Sequence, residues 1–173
     1  MYLTAKHKWN ADRPSGSETQ SWREYPQRPV VGVGGVIIDA GRALLIKRGS
    51  EPLLGQWSIP GGTLEIGETL EQGVIRELRE ETSLEVRVLE LIEVFERIIP
   101  GPPDENAHPP SRTRFHYVIA DYLCERIDGE PRAGSDATDL VFAREDELAK
   151  YALTETALRI LHQAFAAARL RHV

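Results

Sequence analysis

Glu77, Glu80 and Glu81 stand within five residues of one another in the segment LEQGVIRELREET. Leu70, Val74, Ile75 and Leu78 recur there with helical period, which predicts a helix with a buried apolar stripe. At about 100° per residue the three carboxylates cover about 100° of the circumference, so their oxygens can converge on one point. Like charges at that spacing repel, unless they are solvated or drawn together by a hard divalent cation. The cation is the chemistry expected here.

The charge distribution supports it. Residues 65 to 85 hold seven Glu and two Arg, so five of the six formal negative charges of the chain lie in this stretch. An acidic centre without a compensating basic stripe argues against a nucleic-acid-coating role.

A chain of 173 residues, 41% apolar and 28% charged, has the balance of one globular domain. The single cysteine, Cys124, lies in a strand-like run and reads as a small packed side chain rather than a reactive thiol. The first residues lack the apolar run of a secretory signal. The apolar region from Val30 to Ile46 is broken by Asp39, Arg42 and several glycines, which argues against a membrane span. Cytoplasm is the default expectation.

Residues 1–27 are polar and aperiodic and read as an N-terminal extension, with 28–173 as the domain. Trp9, Trp22 and Tyr25 are costly to leave in water, so the arm is expected to dock on its own domain or on a second copy, which keeps a homodimer open.

The elements that must carry the acidic helix follow from pattern. VVGVGGVIID and ALLIKR read as paired strands joined at Ala40-Gly41. Gly32, Gly34 and Gly35 fit no phosphate-loop spacing and read as strand glycines allowing close backbone approach. A loop, GSEPLLGQWSIPGG, leads to the helix, where Thr69 and Gln72 form a capping-box signature. Gly73, inside the helix, either leaves space beside the cations or packs against a strand. Strands are predicted over 84–99 and 112–127, separated by a proline-rich connector suited to a lid. A short strand at 140–142, a short helix in REDELAKY and a last helix starting at Thr154, stapled by Leu153 and Leu158, complete the chain. This order predicts an α/β fold, a mixed sheet flanked by helices.

Gly62, five residues, Glu68, seven residues and Arg76-Glu77-Leu78-Arg79-Glu80-Glu81, closed by Leu84, resemble the Nudix box GX5EX7REUXEEXGU, with U aliphatic. VGVGGVIID, LLIKRG and GQWSIPGG extend the resemblance from about 30 to 168. One position departs from it. Ser83 stands where the family has glycine, and a serine in the left-handed conformation that ends many helices costs on the order of 1 kcal/mol.

The resemblance implies a Nudix-type α/β/α sandwich and hydrolysis of the pyrophosphate bond in a nucleoside diphosphate linked to another group, with Mg²⁺ or Mn²⁺ activating water. ADP-ribose or a related nucleotide is the substrate it favours. It implies Glu77, Glu80, Glu81 and a Gly62 carbonyl as metal donors, with Glu80 alternatively taking the proton of the water. Arg76 would hold a glutamate in position, and Glu68 would orient the loop. Arg48 would contact phosphate, and Glu65 and Trp57 join the substrate-binding set, Trp57 stacking on base or ribose unless it belongs to the core. The general base stays open between a box glutamate and the loop acids Asp104 and Glu105. The competing readings are a nucleotide-sensing protein without turnover, which should have lost box carboxylates that this chain retains, and an oxidised-nucleotide triphosphatase.

Overall fold

A hairpin starts the domain: β1 (Val30–Asp39) turns back into β2 (Arg42–Arg48) through Ala40 and Gly41. Both turn residues have positive φ, 48° and 72°, the conformation that matches the right-handed twist of the flanking strands. The computed structural model describes residues 23–103 and 112–171. Within them the order continues with β3 (Trp57–Ser58), β4 (Gly61–Thr63), helix α1 (Leu70–Thr82), β5 (Glu85–Pro100), β6 (Thr113–Asp128), β7 (Ala137–Arg144), a 3-10 helix over Glu145–Tyr151 and helix α2 (Glu155–Arg171).

The strands form a mixed sheet. β1 runs parallel to β6 from Val30 beside Tyr117 to Ile37 beside Cys124, and antiparallel to β4 on its other edge. β5 and β6 make a long antiparallel hairpin, and β2 pairs with β3 and β7. The alternation of β1 divides the core. Val33 and Ile37 pack under α1 with Val74, Leu78, Leu84 and Ala120, whereas Val36 and Ile38 pack under α2 with Leu123, Ile160, Leu161 and Phe165. Each such fully buried side chain contributes about 1.5–3 kcal/mol relative to exposure. The expected α/β/α sandwich is the fold.

Both ends of α1 form as their residues predict. Gln72 N donates to Thr69 Oγ1 at 3.2 Å and Thr69 N donates to Gln72 Oε1 at 2.8 Å. At the other end Ser83 takes the left-handed conformation, φ 59°, and its amide donates to Arg79 O at 2.9 Å. A glycine is therefore not required for this turn. Gly73 serves packing: a Cβ there would lie 2.8 Å from Leu64 Cδ1 and 3.2 Å from Val33 Cγ2. α2 opens on Thr154, whose Oγ1 accepts from Ala157 N at 3.2 Å, with Leu153 and Leu158 packed against the same core cluster.

Two elements differ in extent from the sequence expectation. β7 runs for eight residues, because its whole length finds hydrogen-bonding partners on β2 from Arg42 to Arg48. REDELAKY is a 3-10 helix. Cys124 is fully buried and burial pushes its thiol up to about 12, the inert packed residue expected. Asp104, Glu105, Trp9 and Trp22 lie outside the described residues, and so does most of the expected lid. Tyr25, at the end of the arm, donates its amide to Arg114 O at 2.7 Å and carries the Arg112 guanidinium over its ring. No helix among the described residues is long and apolar enough to cross a membrane.

Candidate active site

The buried stripe of α1 faces the sheet, and one turn of the helix then carries Glu77 and Glu81 against the short β4 turn. Glu81 is only 1% exposed. Its Oε2 accepts from Gly61 N at 2.7 Å, and its Oε1 pairs with Arg48 Nη1 at 3.1 Å. The same Arg48 nitrogen donates to Gly61 O at 2.7 Å. A register irregularity between Lys47 and Arg48 re-aims the end of β2 at this point.

Glycine is needed at both β4 positions, for different reasons. At Gly62 a Cβ would overlap the Glu77 carboxylate. At Gly61, φ 152°, it would overlap the Val33 carbonyl oxygen. Leu64 N donates to Val31 O and Gly35 N to Pro60 O, so alternation makes Val33 and Gly62 the hydrogen-bonded pair between them. The Gly62 carbonyl is thus committed to the sheet ladder. The Gly61 carbonyl instead accepts from Arg48 Nη1 beside Glu81, which makes it a donor candidate one residue before the expected Gly62.

Arg76 is the hub of the remaining acids. Its Nε and Nη2 grip Glu68 at 2.7 and 2.9 Å, Nη2 reaches Thr63 O at 3.0 Å, and Nη1 donates to Glu77 Oε1 at 2.8 Å and Glu80 Oε2 at 3.4 Å. This is the rigid two-sided fork that a lysine cannot reproduce. Glu68 also accepts from Glu65 N at 2.9 Å, closing the loop before the helix. The Glu80 side chain is 50% exposed and stands at the rim, as does the exposed Glu65. Together with Arg48, Gly62 and Asp136 these residues line one open groove of about 1030 Å³.

The three carboxylates do not meet at one point. Glu77 turns to Arg76, Glu81 to Arg48 and the Gly61 amide, and Glu80 to the rim, and among the described residues no three acidic, histidine or cysteine side chains are grouped as metal ligands. Arginine cations pair with the buried Glu81 and the half-buried Glu77 in this arrangement. The donor set nevertheless suits a hard divalent cation: carboxylate oxygens beside a backbone carbonyl, over a glycine whose missing side chain keeps the Glu77 carboxylate in place.

Burial sets the acid strengths. It pushes Glu81 up to about 7, against the pull of Arg48 and the Gly61 amide and with a push from Glu77 and Asp136. Burial also raises Glu77, opposed chiefly by Arg76. Glu68 is held at about 2 by the Arg76 fork and the Glu65 amide. A folded-state carboxyl raised from 4.5 to about 7 binds a proton that the unfolded chain has released, so its contribution to stability declines as pH rises through that window. Acids held low, such as Glu68, have already contributed fully above about pH 5. In metal-free buffer the Tm should therefore fall between about pH 5 and about pH 8, and Glu81→Gln should make the fall shallower, leaving the share of Asp121, which burial also raises to about 7. A wild-type Tm that climbs over this range would contradict the assignment.

Trp57 packs edge-on against Tyr151, with centroids 5.4 Å apart, in the layer under α2, and also walls a second cleft that meets the groove at Arg48, Gly61 and Gly62. The sequence reading missed Gly61, Asp136, and in that cleft Asp121 and Arg97. Only the pairing of distant strands brings them here, although an Asp inside the apolar run HYVIADYLC was a visible anomaly.

An α/β/α sandwich with an arginine-braced acidic helix against a Gly-Gly turn defines a class of hydrolase acting on phosphoanhydrides. The sequence matches the NUDIX domain over residues 28–164, and the chain belongs to that family. It is 36% identical over 124 residues to an ADP-ribose pyrophosphatase of Methanocaldococcus jannaschii, covering 72% of this chain and 67% of that protein. It is 31% identical to a MutT-like protein of Streptomyces ambofaciens, covering 84% and 82%. Among solved structures, a MutT NUDIX hydrolase from Burkholderia pseudomallei superposes with TM-score 0.62 at 30% identity, covering 79% of this chain and 98% of that one. The NUDIX domain of Shewanella oneidensis NrtR, crystallised with ADP ribose, shares the fold at 20% identity and TM-score 0.61, covering 85% and 90%. As a member of this family the chain is a Nudix pyrophosphohydrolase.

Proposed function

We propose that the protein hydrolyses the pyrophosphate link of ADP-ribose or a close nucleoside diphosphate derivative, with Mg²⁺ or Mn²⁺ held by Glu77, Glu81, Glu80 and the Gly61 carbonyl. The observation that carries this reading is the pair of a buried Glu81, held by the Gly61 amide, and a half-buried Glu77, whose carboxylate fills the space a side chain at Gly62 would take. The similarity to a protein named ADP-ribose pyrophosphatase supports the substrate.

Bound there, a divalent cation supplies a Lewis acid that strengthens water as a nucleophile and offsets charge developing on the phosphate oxygens. The chain's own residues do the positioning. Arg76 ties Glu68 to Glu77, so that the loop and the helix move as one piece. Arg48 sits at the junction of groove and cleft, where a phosphate group would meet its guanidinium. Glu80, half-exposed at the rim, completes the donor set or, as the alternative, takes the proton of the attacking water.

A turnover screen over ADP-ribose, NADH, sugar nucleotides, diadenosine polyphosphates and 8-oxo-dGTP, with each metal and with product identification, tests the assignment. AMP and ribose 5-phosphate from ADP-ribose are the expected products. Release of pyrophosphate from 8-oxo-dGTP as the preferred reaction would overturn the substrate, and binding without turnover of any compound would overturn catalysis.

A further inference from the structure

The second cleft is lined by a nearly buried acid, Asp121. Asp121 is 4% exposed, yet it has no hydrogen bond or ion pair among the described residues. A carboxyl group so far withdrawn from bulk water and facing a cleft suits a ligand that supplies the hydrogen bond its own chain does not. Gly34, beside it on β1, is part of the arrangement, because a Cβ there would overlap Asp121 Oδ1.

The neighbours are placed by strand register. Phe95 and Arg97 on β5 stand beside Ile119 and Tyr117 on β6, and residues two apart on a strand share a face, so all four join Asp121 on the α2 side of the sheet. Arg97 is half-buried, likewise without a hydrogen bond or ion pair among the described residues, and it is the main opposing charge acting on Asp121. Burial pushes the Asp121 carboxyl up to about 7 against that pull. The cavity of about 120 Å³ among these side chains opens into the acidic groove, so a ring could enter it edge first without being enclosed. A planar ring with a donor next to an acceptor fits this combination of flat walls, acid and guanidinium.

We propose that Asp121 is a specificity-determining residue that accepts a hydrogen bond from the exocyclic amino group of the substrate's base, with Arg97 donating to the adjacent ring acceptor between Phe95 and Tyr117. The inference rests on the acidic groove being the diphosphate site, since the two cavities meet at Arg48, Gly61 and Gly62. It commits the base to one bearing an amino group, such as adenine, and disfavours hypoxanthine, which presents a carbonyl oxygen in its place.

The test compares ADP-ribose with IDP-ribose for the wild type, Asp121→Asn and Gly34→Ala. Asparagine keeps the size and offers both a donor and an acceptor, and the alanine methyl displaces the carboxylate while leaving its charge. The wild type is expected to prefer ADP-ribose in kcat/KM by at least about tenfold, and both variants to bring the ratio close to one. The affinities of AMP and IMP, measured by calorimetry, should shift in parallel. A wild-type ratio near one, or variants that lose both substrates by the same factor, overturns the proposal even if hydrolysis is robust. Conversely, an Asp121-dependent preference for AMP over IMP in a protein that hydrolyses neither ADP-ribose nor IDP-ribose upholds the base contact and removes the catalytic reading.

Discussion

Glu81→Gln is expected to lower kcat by about a thousandfold or more, equivalent to about 4 kcal/mol of transition-state stabilisation, while the fold survives. Glu81 is buried between Arg48 and the Gly61 amide. Glutamine keeps the length and retains an oxygen for that amide, and Arg48 keeps the Gly61 carbonyl. The charge is lost, and with it the hydrogen bond that Oε1 accepts from Arg48 Nη1, because an amide nitrogen cannot accept. Above about pH 7 the metal-free variant sheds the penalty of a buried ionised carboxylate but leaves Arg48 without its partner, so the two effects oppose and its Tm should stay within several degrees of the wild type. The wild-type Tm should rise with Mg²⁺ and that of the variant much less, since stabilisation by a ligand follows its affinity for the native state. Phosphate-release kinetics and paired melting curves measure both effects. A variant within tenfold of the wild type, with the same Mg²⁺ response, would remove Glu81 from the reaction.

The adjacent glycines should fail differently. Gly61→Ala places its Cβ on the Val33 carbonyl oxygen at a φ of 152°, so backbone must move in the central strand pair. A loss of about 2–4 kcal/mol is expected, read as a fall in denaturation midpoint. Gly62→Ala instead meets the Glu77 carboxylate, the far end of a flexible side chain that can swing away. Stability should then change little, but activity should drop by about two orders of magnitude as Glu77 leaves the metal position. If the two alanines act alike on stability, the division of labour between the glycines is wrong. Equal activity of Gly62→Ala and the wild type would show that Glu77 need not stand where the structure places it.

Local chemistry was legible without coordinates. The Thr69 and Gln72 box starts α1, Ser83 ends it in the left-handed turn expected of the glycine it replaces, and the 77 and 81 positions share a face because four residues are about one helical turn. The runs around Ala40-Gly41 gave their hairpin by the same local rules. These features depend on interactions within a few residues, and side-chain type and spacing suffice for them.

What the tertiary structure alone decided lies across long separations. Arg48 reaches Glu81 33 residues away, so the expected phosphate ligand also braces the buried carboxylate proposed to hold the metal. The outward carbonyl belongs to Gly61 because ladder alternation assigns that of Gly62 to Val33, and a shift of one residue would exchange them. The Asp121 cleft requires β6 to lie between β1 and β5, a parallel pairing on one side and an antiparallel one on the other that no short pattern specifies. Amino-acid order by itself determined an acidic helix, its caps and the hydrophobic strands. Which oxygens are buried, which cation each one meets and which face a strand turns to the ligand were decided by register and packing, because those terms sum contacts between segments that are distant in the chain.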